Sequence, residues 1–311
     1  MPRKVIIDCD PGIDDAIALT MALFDPRLEV LAVTAVAGNV SAEQATRNVQ
    51  AIIEQLDPPR YPRLGAASEG LAMVDNRQLF GEDGLGNAGF VSSQLARQHP
   101  AEKLICDEVR AAPGEVTLVC LGPLTNIAAA LAREPQLISM LGRLVIMGGS
   151  VNGVGNVTSA AEYNIYFDPH SARQVFRSPT TKTLIPLDVT TQVTWSLDLL
   201  DQLPAETTRA GNLLRKTLPF LFRTYRREMG LEGIHLHDAV AMAAVVHPEL
   251  FTTRDMTGDV ETAGELTLGA TVFDRRGIAH NRGDMEVAME VDAAGVSDCV
   301  VRALQDAGRQ T

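Results

Sequence analysis

The chain has 311 residues, of which 46% are hydrophobic and 21% are charged, so it has the composition of a globular protein and is long enough to bury a large core. Disordered and fibrous classes are thereby excluded. The formal net charge is −12, so the sequence lacks the basic surface with which proteins bind nucleic acids or anionic membranes. We therefore expect neither as a partner.

The cysteines and the first residues indicate where the protein works. The four cysteines are widely spaced, without a C-x-x-C pair, and are expected to be reduced: Cys9, Cys106, Cys120 and Cys299. Before the first acidic residues only Val5–Ile7 is apolar, which is too short for the core of a signal peptide. No apolar run is long enough to span a membrane. The sequence predicts a cytoplasmic protein.

Short β-branched runs alternate with helical patterns through the first 190 residues, which indicates βα units around a mostly parallel sheet. The expected strands are Val5–Asp8, Leu31–Ala37, Val116–Leu121, Arg143–Met147 and Thr183–Val189. The expected helices are Asp14–Phe24 and a second one that Ser41 and Gln44 begin as a capping box and that continues to Leu56.

The later part of the chain is less regular. A stretch from Gly65 to Gly89 contains six glycines and little periodicity, which is typical of a functional or mobile loop. The segment Asp198–Met229 is predicted to be helical, Asp259–Asp274 to be a strand pair, and Val296–Ala307 to be the last helix. Without a repeat or linker, residues 1–311 are predicted to form a single α/β domain, an open, mostly parallel sheet flanked by helices with a Rossmann-like core.

The densest polar motif is the run from Asp8 to Asp15, DCDPGIDD, between the first strand and the first helix. Asp14 and Asp15 could simply occupy the helix start, where the helix dipole contributes about 0.3 to 1 kcal/mol for each. If carboxylates of this run converge to about 5 Å, they repel each other by roughly 3 kcal/mol per pair. A divalent cation would remove that repulsion, and an all-oxygen ligand set favours Ca²⁺ or Mg²⁺.

Two known motifs begin in a similar way. An EF-hand loop would need Gly at Ile13 and Glu at Leu19, so that motif fails twice. A haloacid-dehalogenase phosphatase also has two aspartates after a strand, separated by one residue. In that family a distant acidic pair holds Mg²⁺. Gly283-Asp284 is a weak candidate for the distant part, but a phosphatase does not explain Asp14-Asp15.

Another acidic residue follows two histidines in His235-Leu236-His237-Asp238, before an apolar segment that is predicted to be a buried helix to Val246. Asp238 is either the cap of this helix or a metal ligand from the far side of the site. His237 could donate a proton near neutral pH. His235 is expected to lie at the surface or behind the site.

Polar residues also follow the other predicted strands. Asn156, Glu162 and Asn164 crowd one loop, and this set suits recognition of hydroxyl groups, although ordinary turn chemistry also favours Gly and Asn there. Gly38-Asn39 and the segment Gly122–Asn126 follow two other strands and are ambiguous in the same way. The sequence has no G-x-G-x-x-G, Walker A, G-x-S-x-G or His-Glu-x-x-His motif, so dinucleotide, NTP and serine-hydrolase chemistry lose their main support.

Taken together, these motifs resemble the inosine-uridine-preferring nucleoside hydrolase family of calcium-dependent ribonucleoside N-ribohydrolases. The resemblance covers essentially the whole chain. The matching segments, in order, are Asp8–Ala16, Gly38-Asn39, Gly122–Ala128, Met147–Gly149, Asn156, Ala161–Asn164, His237–Ala239, Val260-Glu261 and Leu268–Thr271. The resemblance implies a hydrolase that splits purine or pyrimidine ribonucleosides into base and ribose, and a homodimer or homotetramer.

The resemblance also implies roles for individual residues. Ca²⁺ would be held by Asp10, Asp15, Asp238 and the carbonyl oxygen of Thr125, with Asp8 in support. Asp10 would also be the general base. The residues that would bind the ribose hydroxyls are Asp14, Asn39, Asn156, Glu162 and Asn164. His237 would donate a proton to the leaving base, and Tyr225 would lie beside that base.

One position departs from the family pattern. Phe80 stands where the family commonly has a histidine that contacts the substrate, so base preference and leaving-group activation are open. The alternative interpretation is that Phe80 is a hydrophobic residue that closes a mobile loop. Tyr225 favours the nonspecific or pyrimidine-leaning branch over the purine-specific one, because Trp195 does not fall where that branch has tryptophan. The competing functions are a Mg²⁺ phosphatase and a non-catalytic nucleoside-binding or calcium-binding protein.

Overall fold

A nine-stranded sheet runs through the centre of this computed structural model, which describes residues 2–68, 76–93, 99–276 and 284–311. The strands are β1 (Arg3–Cys9), β2 (Leu28–Ala35), β3 (Arg63–Ala66), β4 (His99–Pro100), β5 (Val116–Cys120), β6 (Arg143–Met147), β7 (Lys182–Ile185), β8 (Phe251–Met256), β9 (Gly258–Val260), β10 (Thr271–Phe273) and β11 (Met285–Val291). Strands β9 and β10 form a separate antiparallel pair.

The helices follow in the same chain order. They are α1 (Ile13–Phe24), α2 (Ala42–Leu56), α3 (Arg77–Phe80), α4 (Ala101–Ala111), α5 (Thr125–Arg133), α6 (Leu137–Met140), α7 (Tyr163–Phe167), α8 (Pro169–Phe176), α9 (Leu187–Thr190), α10 (Leu199–Gln202), α11 (Arg209–Thr224), α12 (His237–Val246) and α13 (Ala293–Gln310). A π-helical turn, Tyr225–Met229, extends α11, and a 3₁₀ turn, Pro248–Leu250, follows α12. Within the described ranges, no helix has both the length and the apolar character to cross a bilayer.

The strand order places the functional edge of the sheet. The order is β4-β3-β2-β1-β5-β6-β7-β11-β8, and every neighbouring pair is parallel except β11 with β8. The chain winds outward from β1 in one direction and from β5 in the other, so the order reverses between these two strands. Open α/β sheets bind ligands at the carboxyl ends of the strands beside such a reversal. The prediction of a mostly parallel sheet flanked by helices is confirmed.

Helices cover both faces of the sheet because the central strands are apolar on both sides. In β1, Val5, Ile7 and Cys9 belong to a core cluster with buried residues of α1, α2, α11, α12 and α13. Ile6 belongs to a second cluster with buried residues of α4, α5 and α8. All four side chains are fully buried. This is the two-sided burial expected of parallel strands.

Most predicted elements lie where the sequence places them, and two need correction. The predicted strand Thr183–Val189 ends at Ile185, because Pro186 begins the short helix α9 instead. The predicted helix Asp198–Met229 is interrupted: α10 ends at Gln202 before Pro204, and α11 starts anew. Thr208 caps α11, since its side chain accepts a hydrogen bond from the backbone N–H of Gly211.

The glycine-rich stretch is less of a loop than predicted. It contains the end of β3 and the short helix α3, which carries Phe80. Gly70 lies outside the described residues. The strands β8 and β11 have no counterpart in the sequence predictions, and β8 is polar over Thr252–Asp255 because it forms the exposed antiparallel edge of the sheet.

Candidate active site

A cavity of about 310 Å³ opens at the carboxyl edge of the sheet, beside the reversal of strand order. Its wall includes ten residues that the sequence predicts for the site: Asp10, Asp14, Asn39, Phe80, Asn156, Glu162, Asn164, Tyr225, His237 and Asp238. Two others, Asp15 and Thr125, are not part of the wall. Because residues from both halves of the chain meet in this cavity, it is the candidate active site.

Three aspartates converge beside the cavity, and two of them, Asp14 and Asp238, also line it. Asp14 and Asp15 lie in the first turn of α1, and Asp238 lies in the first turn of α12. Each offers one carboxylate oxygen, and these oxygens all lie within 4.8 Å of one another. Asp15 also accepts a hydrogen bond of 2.7 Å from the backbone N–H of Gly12, so it stabilises the start of α1 as well. Asp238 is not the cap of α12, because Leu236 has that position.

Asp10 lies against this trio and is held by backbone from two neighbouring strands. Its Oδ2 accepts a hydrogen bond of 2.9 Å from the backbone N–H of Asn39, which follows β2. Gly38 and Gly122 pass so close that any side chain there would overlap the carboxylate, and a Cβ at Gly122 would lie 2.5 Å from Asp10 Oδ1. Glycine at these two positions therefore allows the backbone to enclose Asp10.

Asp10, Asp14, Asp15 and Asp238 are all buried, and the described cavity wall contains no arginine or lysine that could balance their charge. Burial, reinforced by the neighbouring carboxylates, holds the pKa of Asp10 and Asp238 well above the usual range. Burial is also the main reason why the pKa of Asp14 rises to about 6 and that of Asp15 to about 8. A positive charge from outside the chain would therefore favour the deprotonated form of all four carboxylates.

Unpartnered oxygens mark where such a charge would lie. In the described part of the chain, Asp14 Oδ1 and Asp15 Oδ1 are buried and have no hydrogen-bond partner. Buried polar atoms of folded proteins are normally satisfied, so these oxygens point to an absent partner. The donor set consists of carboxylates only, which fits a hard divalent cation.

Asp8 is fully buried outside the cavity wall, and neutral donors hold its carboxylate. Its Oδ1 accepts hydrogen bonds from Thr34 Oγ1 at 2.5 Å and from Asn126 Nδ2 at 2.8 Å. The same Asn126 amide donates to the carbonyl oxygen of Ala35, so it connects α5 to the ends of β1 and β2. Burial raises the pKa of Asp8 to about 7. Asn126, which the sequence placed in an ambiguous turn, is therefore a structural connector.

The loop after β6 supplies one side of the cavity. Glu162 caps α7, and its carboxylate accepts hydrogen bonds from the backbone N–H groups of Gly149, Asn164 and Ile165 at 3.0, 2.9 and 3.2 Å. The side-chain amide of Asn164 donates to the carbonyl oxygen of Leu121 at 2.7 Å. Both side chains are fixed by backbone contacts. Glu162 and Asn164 therefore stabilise the turn and also lie in the cavity wall, so the two interpretations of this loop do not exclude each other.

Two further amides extend this polar surface. Asn156 Oδ1 accepts a hydrogen bond of 2.9 Å from the backbone N–H of Tyr163. Asn39 Nδ2 donates to the carbonyl oxygen of Asp10 at 3.0 Å, and Asn39 Oδ1 accepts from Asn76 Nδ2 at 2.7 Å. Asn76 also lies in the cavity wall, and sequence reasoning missed it. Its only signal was a polar residue within the glycine-rich stretch from Gly65 to Gly89.

The opposite side of the cavity is formed by aromatic residues and histidines. Phe80, only 6% exposed, closes this side from α3, and Tyr225 opens the π-helical turn after α11. The Tyr225 ring meets the ring of His235 edge to face at a centroid distance of 6.2 Å. π-Helical turns within helices are frequent at functional sites.

His235 lies in the cavity wall, so the expectation that it would lie at the surface or behind the site is wrong. Its ring centroid is 5.8 Å from that of His237. Residues two apart in an extended segment face the same side, which is the signal that could have placed His235 beside His237. Burial and the neighbouring His235 lower the pKa of His237 to about 3, so its ring is neutral in this environment.

Thr125 and Trp195 both lie outside the cavity wall. The Thr125 hydroxyl donates to Asp168 Oδ2 at 2.8 Å, so its side chain is fixed at the start of α5, and its carbonyl oxygen as a metal ligand stays a prediction. Trp195 is 3% exposed and pairs by backbone with Ile234, outside the cavity wall.

Comparison with known proteins agrees with this geometry. Residues 5–298 match the family described as inosine-uridine preferring nucleoside hydrolase. The non-specific ribonucleoside hydrolase RihC of Salmonella enteritidis is 42% identical over 94% of both chains, and that of Escherichia fergusonii is 40% identical over 99% of this chain and 100% of the relative. The solved purine-preferring ribonucleoside hydrolase from Gardnerella vaginalis superposes with a TM-score of 0.92 at 31% identity, over 99% of this chain and 100% of that one.

The match to the family extends over nearly the whole chain, and the similar solved structure has the same fold as well as a related activity. The chain therefore belongs to the inosine-uridine preferring nucleoside hydrolase family and is an enzyme that hydrolyses ribonucleosides to free base and ribose at the N-glycosidic bond.

Proposed function

We propose that this cavity hydrolyses purine and pyrimidine ribonucleosides with a water molecule activated at a Ca²⁺ site. The observation that carries the proposal is the buried convergence of Asp14, Asp15 and Asp238 beside Asp10, with carboxylate oxygens that lack partners. Ca²⁺ would be held by Asp10, Asp15, Asp238 and the carbonyl oxygen of Thr125. When bound, Ca²⁺ supplies positive charge that orients a water molecule and lowers its pKa.

Asp10 is proposed as the general base. It is enclosed by backbone at Gly38 and Gly122 and fixed by the Asn39 N–H, so its carboxylate has little freedom to turn away from the cavity. A carboxylate held in this way can remove the proton from the attacking water. A fixed base does not lose free energy in reorganising during the reaction.

The polar side of the cavity is proposed to bind the ribose. Its members are Asp14, Asn39, Asn156, Glu162 and Asn164, all in the cavity wall. Cleavage of the glycosidic bond places positive charge on the sugar ring in the transition state. The Asp14 and Glu162 carboxylates would stabilise that charge. Because Glu162 is held by three backbone N–H groups, its position does not depend on the substrate.

The aromatic side is proposed to receive the base, with Tyr225 and Phe80 against its ring and His237 as donor to it. As the C1′–N bond breaks, its electron pair moves onto the base, and a donor at His237 stabilises that charge. A neutral histidine can act in this way as a hydrogen-bond donor.

The assembly and location are also proposals. We infer that the enzyme is a homodimer or homotetramer, as the family resemblance implies, and that residues 1–311 act as one domain. A cytoplasmic location is supported by four cysteines that are all free and buried. Gel filtration with light scattering would test the assembly, and a monomer would contradict it.

The base range follows from the shape of the aromatic side. Tyr225 and Phe80 offer ring faces and edges without a fixed pattern of donors, so we expect turnover of inosine, adenosine, guanosine, uridine and cytidine, with pyrimidine nucleosides at least as good as purine ones. Steady-state kcat/KM on these five nucleosides is the measurement. Activity confined to purine nucleosides would contradict this range.

Removal of the metal tests the site as a whole. We expect a chelator to abolish ribose release from inosine and uridine and added Ca²⁺ to restore it, with no phosphate release from a nucleotide under either condition.

Asp15→Asn should weaken Ca²⁺ binding by at least about 10-fold in calorimetry, because it removes a ligand. Glu115→Gln, an exposed acid beside Lys4, is the matched control and should bind Ca²⁺ normally. Unchanged binding by Asp15→Asn would refute the ligand assignment.

Asp10→Asn separates catalysis from folding. At saturating Ca²⁺ we expect kcat to fall by about 10² to 10⁴, the usual effect of losing a general base. The metal-free variant should unfold at the same or a higher temperature than metal-free wild type, since a neutral amide relieves repulsion among buried carboxylates. The exposed Asp201→Asn is the control for charge loss. A variant that keeps near wild-type kcat would remove the base assignment.

His237→Ala tests donation to the leaving group. We expect the loss in kcat to be at least about 10-fold greater with inosine than with a nitrophenyl riboside, whose leaving group departs with little help. The ratio of the two losses is informative because both substrates share the ribose. Equal losses on both would show that His237 acts elsewhere.

A further inference from the structure

The two histidines of the cavity make different contacts at Nδ1. His237 Nδ1 lies 2.8 Å from the hydroxyl oxygen of Thr190, the last residue of α9. His235 Nδ1 lies 3.2 Å from the backbone carbonyl oxygen of Val193. A carbonyl oxygen can only accept a hydrogen bond, whereas a hydroxyl group can donate or accept. The partner of each ring therefore determines which ring nitrogen carries the proton.

For His235, the contact with Val193 determines which ring nitrogen carries the proton. Val193 can only accept, so Nδ1 of His235 carries the proton and donates to it. In a neutral ring Nε2 is then an acceptor, with its lone pair directed away from Val193. His235 is thus unsuited to donate toward the cavity from Nε2.

For His237, the burial of Thr190 determines which ring nitrogen carries the proton. Thr190 is fully buried, and within the described ranges its hydroxyl has His237 Nδ1 as its one hydrogen-bond partner. If Nδ1 donated, the Thr190 hydroxyl hydrogen would be buried without an acceptor. Proteins avoid this arrangement, because a buried donor without an acceptor loses its hydrogen bonds to water and gains none in return. The hydroxyl group must therefore donate to Nδ1, which leaves the proton of the neutral ring on Nε2.

We propose that Thr190 is a positioning residue that holds His237 in the form with its proton on Nε2, so that the ring presents a donor to the leaving base. This inference rests on the proposed role of His237. It identifies a residue that does not touch the substrate but determines whether His237 can donate at all, and it gives the adjacent His235 the opposite character.

The location of Thr190 supports this role. Helix α9 is tied to the loop after β6, because the backbone N–H of Leu187 donates to the carbonyl oxygen of Gly149 at 2.9 Å. Asp188 in the same helix accepts from the backbone N–H groups of Val151 and Asn152 at 2.6 and 3.0 Å. The Thr190 hydroxyl is therefore fixed relative to the polar side of the cavity as well as to His237.

The direct test is nitrogen NMR of the wild-type, calcium-loaded enzyme with ¹⁵N-labelled histidine at mildly alkaline pH. We expect Nε2 of His237 to have the shift of a protonated ring nitrogen and Nδ1 that of an unprotonated one, with the reverse pattern for His235. Assignment uses His237→Ala and His235→Ala spectra. A protonated Nδ1 in His237 would overturn the inference without touching the proposed hydrolysis.

The kinetic test uses Thr190→Val, which keeps the shape but removes the hydroxyl. We expect kcat with inosine to fall by about 10-fold and kcat with a nitrophenyl riboside by less than about 2-fold, since only the former depends on donation. Thr190→Ser should restore at least half of the lost activity. Thr217→Val removes a buried hydroxyl that bonds Leu213 O and controls for a packing effect.

The double variant Thr190→Val with His237→Ala completes the design. If Thr190 acts through His237, the double variant should be no slower with inosine than His237→Ala alone. Additive losses, or equal losses on both substrates, would overturn the positioning role while leaving His237 as donor. If His237→Ala itself fails to distinguish the substrates, the donor role falls and the inference falls with it.

Discussion

Repulsion among buried carboxylates is the constraint on which the rest of this structure depends. Asp10, Asp14, Asp15 and Asp238 lie together in a buried cluster, and no arginine or lysine lies in the described cavity wall to balance them. At about 4 Å and an effective dielectric near 20, each pair of charges costs roughly 4 kcal/mol. Such a cluster persists with protons or with a cation, and the unpartnered oxygens favour a cation as its working partner.

The fold holds these acids with neutral groups. Backbone N–H groups bond Asp10 and Asp15, and the amide of Asn126 and the hydroxyl of Thr34 bond Asp8. An arginine in any of these places would also fix a carboxylate, but it would neutralise the charge that is needed to bind a metal ion. Neutral donors orient the oxygens and leave their charge available. The close approach of backbone at Gly38 and Gly122 serves the same end.

Sequence patterns predicted the parts of this site that depend on local order. The run from Asp8 to Asp15 is contiguous, so its position between β1 and α1 could be read directly. Asp238 is distant in the chain: its local pattern allowed either a helix cap or a metal ligand, and the family resemblance implied the ligand. Asn76 and Thr190 escaped prediction because their importance lies in tertiary hydrogen bonds to Asn39 and His237. The edge strand β8 escaped because its exposed polar side chains do not alternate clearly.

The two sides of the cavity have different structural origins, and this bears on how base preference can change. The polar side comes from loops at the ends of β1, β2 and β6, which the sheet fixes relative to one another. The aromatic side comes from α3, the π-helical turn and the start of α12, outside the sheet. A substitution at Phe80 or Tyr225 can therefore change the shape of the aromatic side without altering α12, which carries Asp238. Phe80 is such a position, since it closes the aromatic side from α3 and its ring lies beside Gly12, which precedes α1.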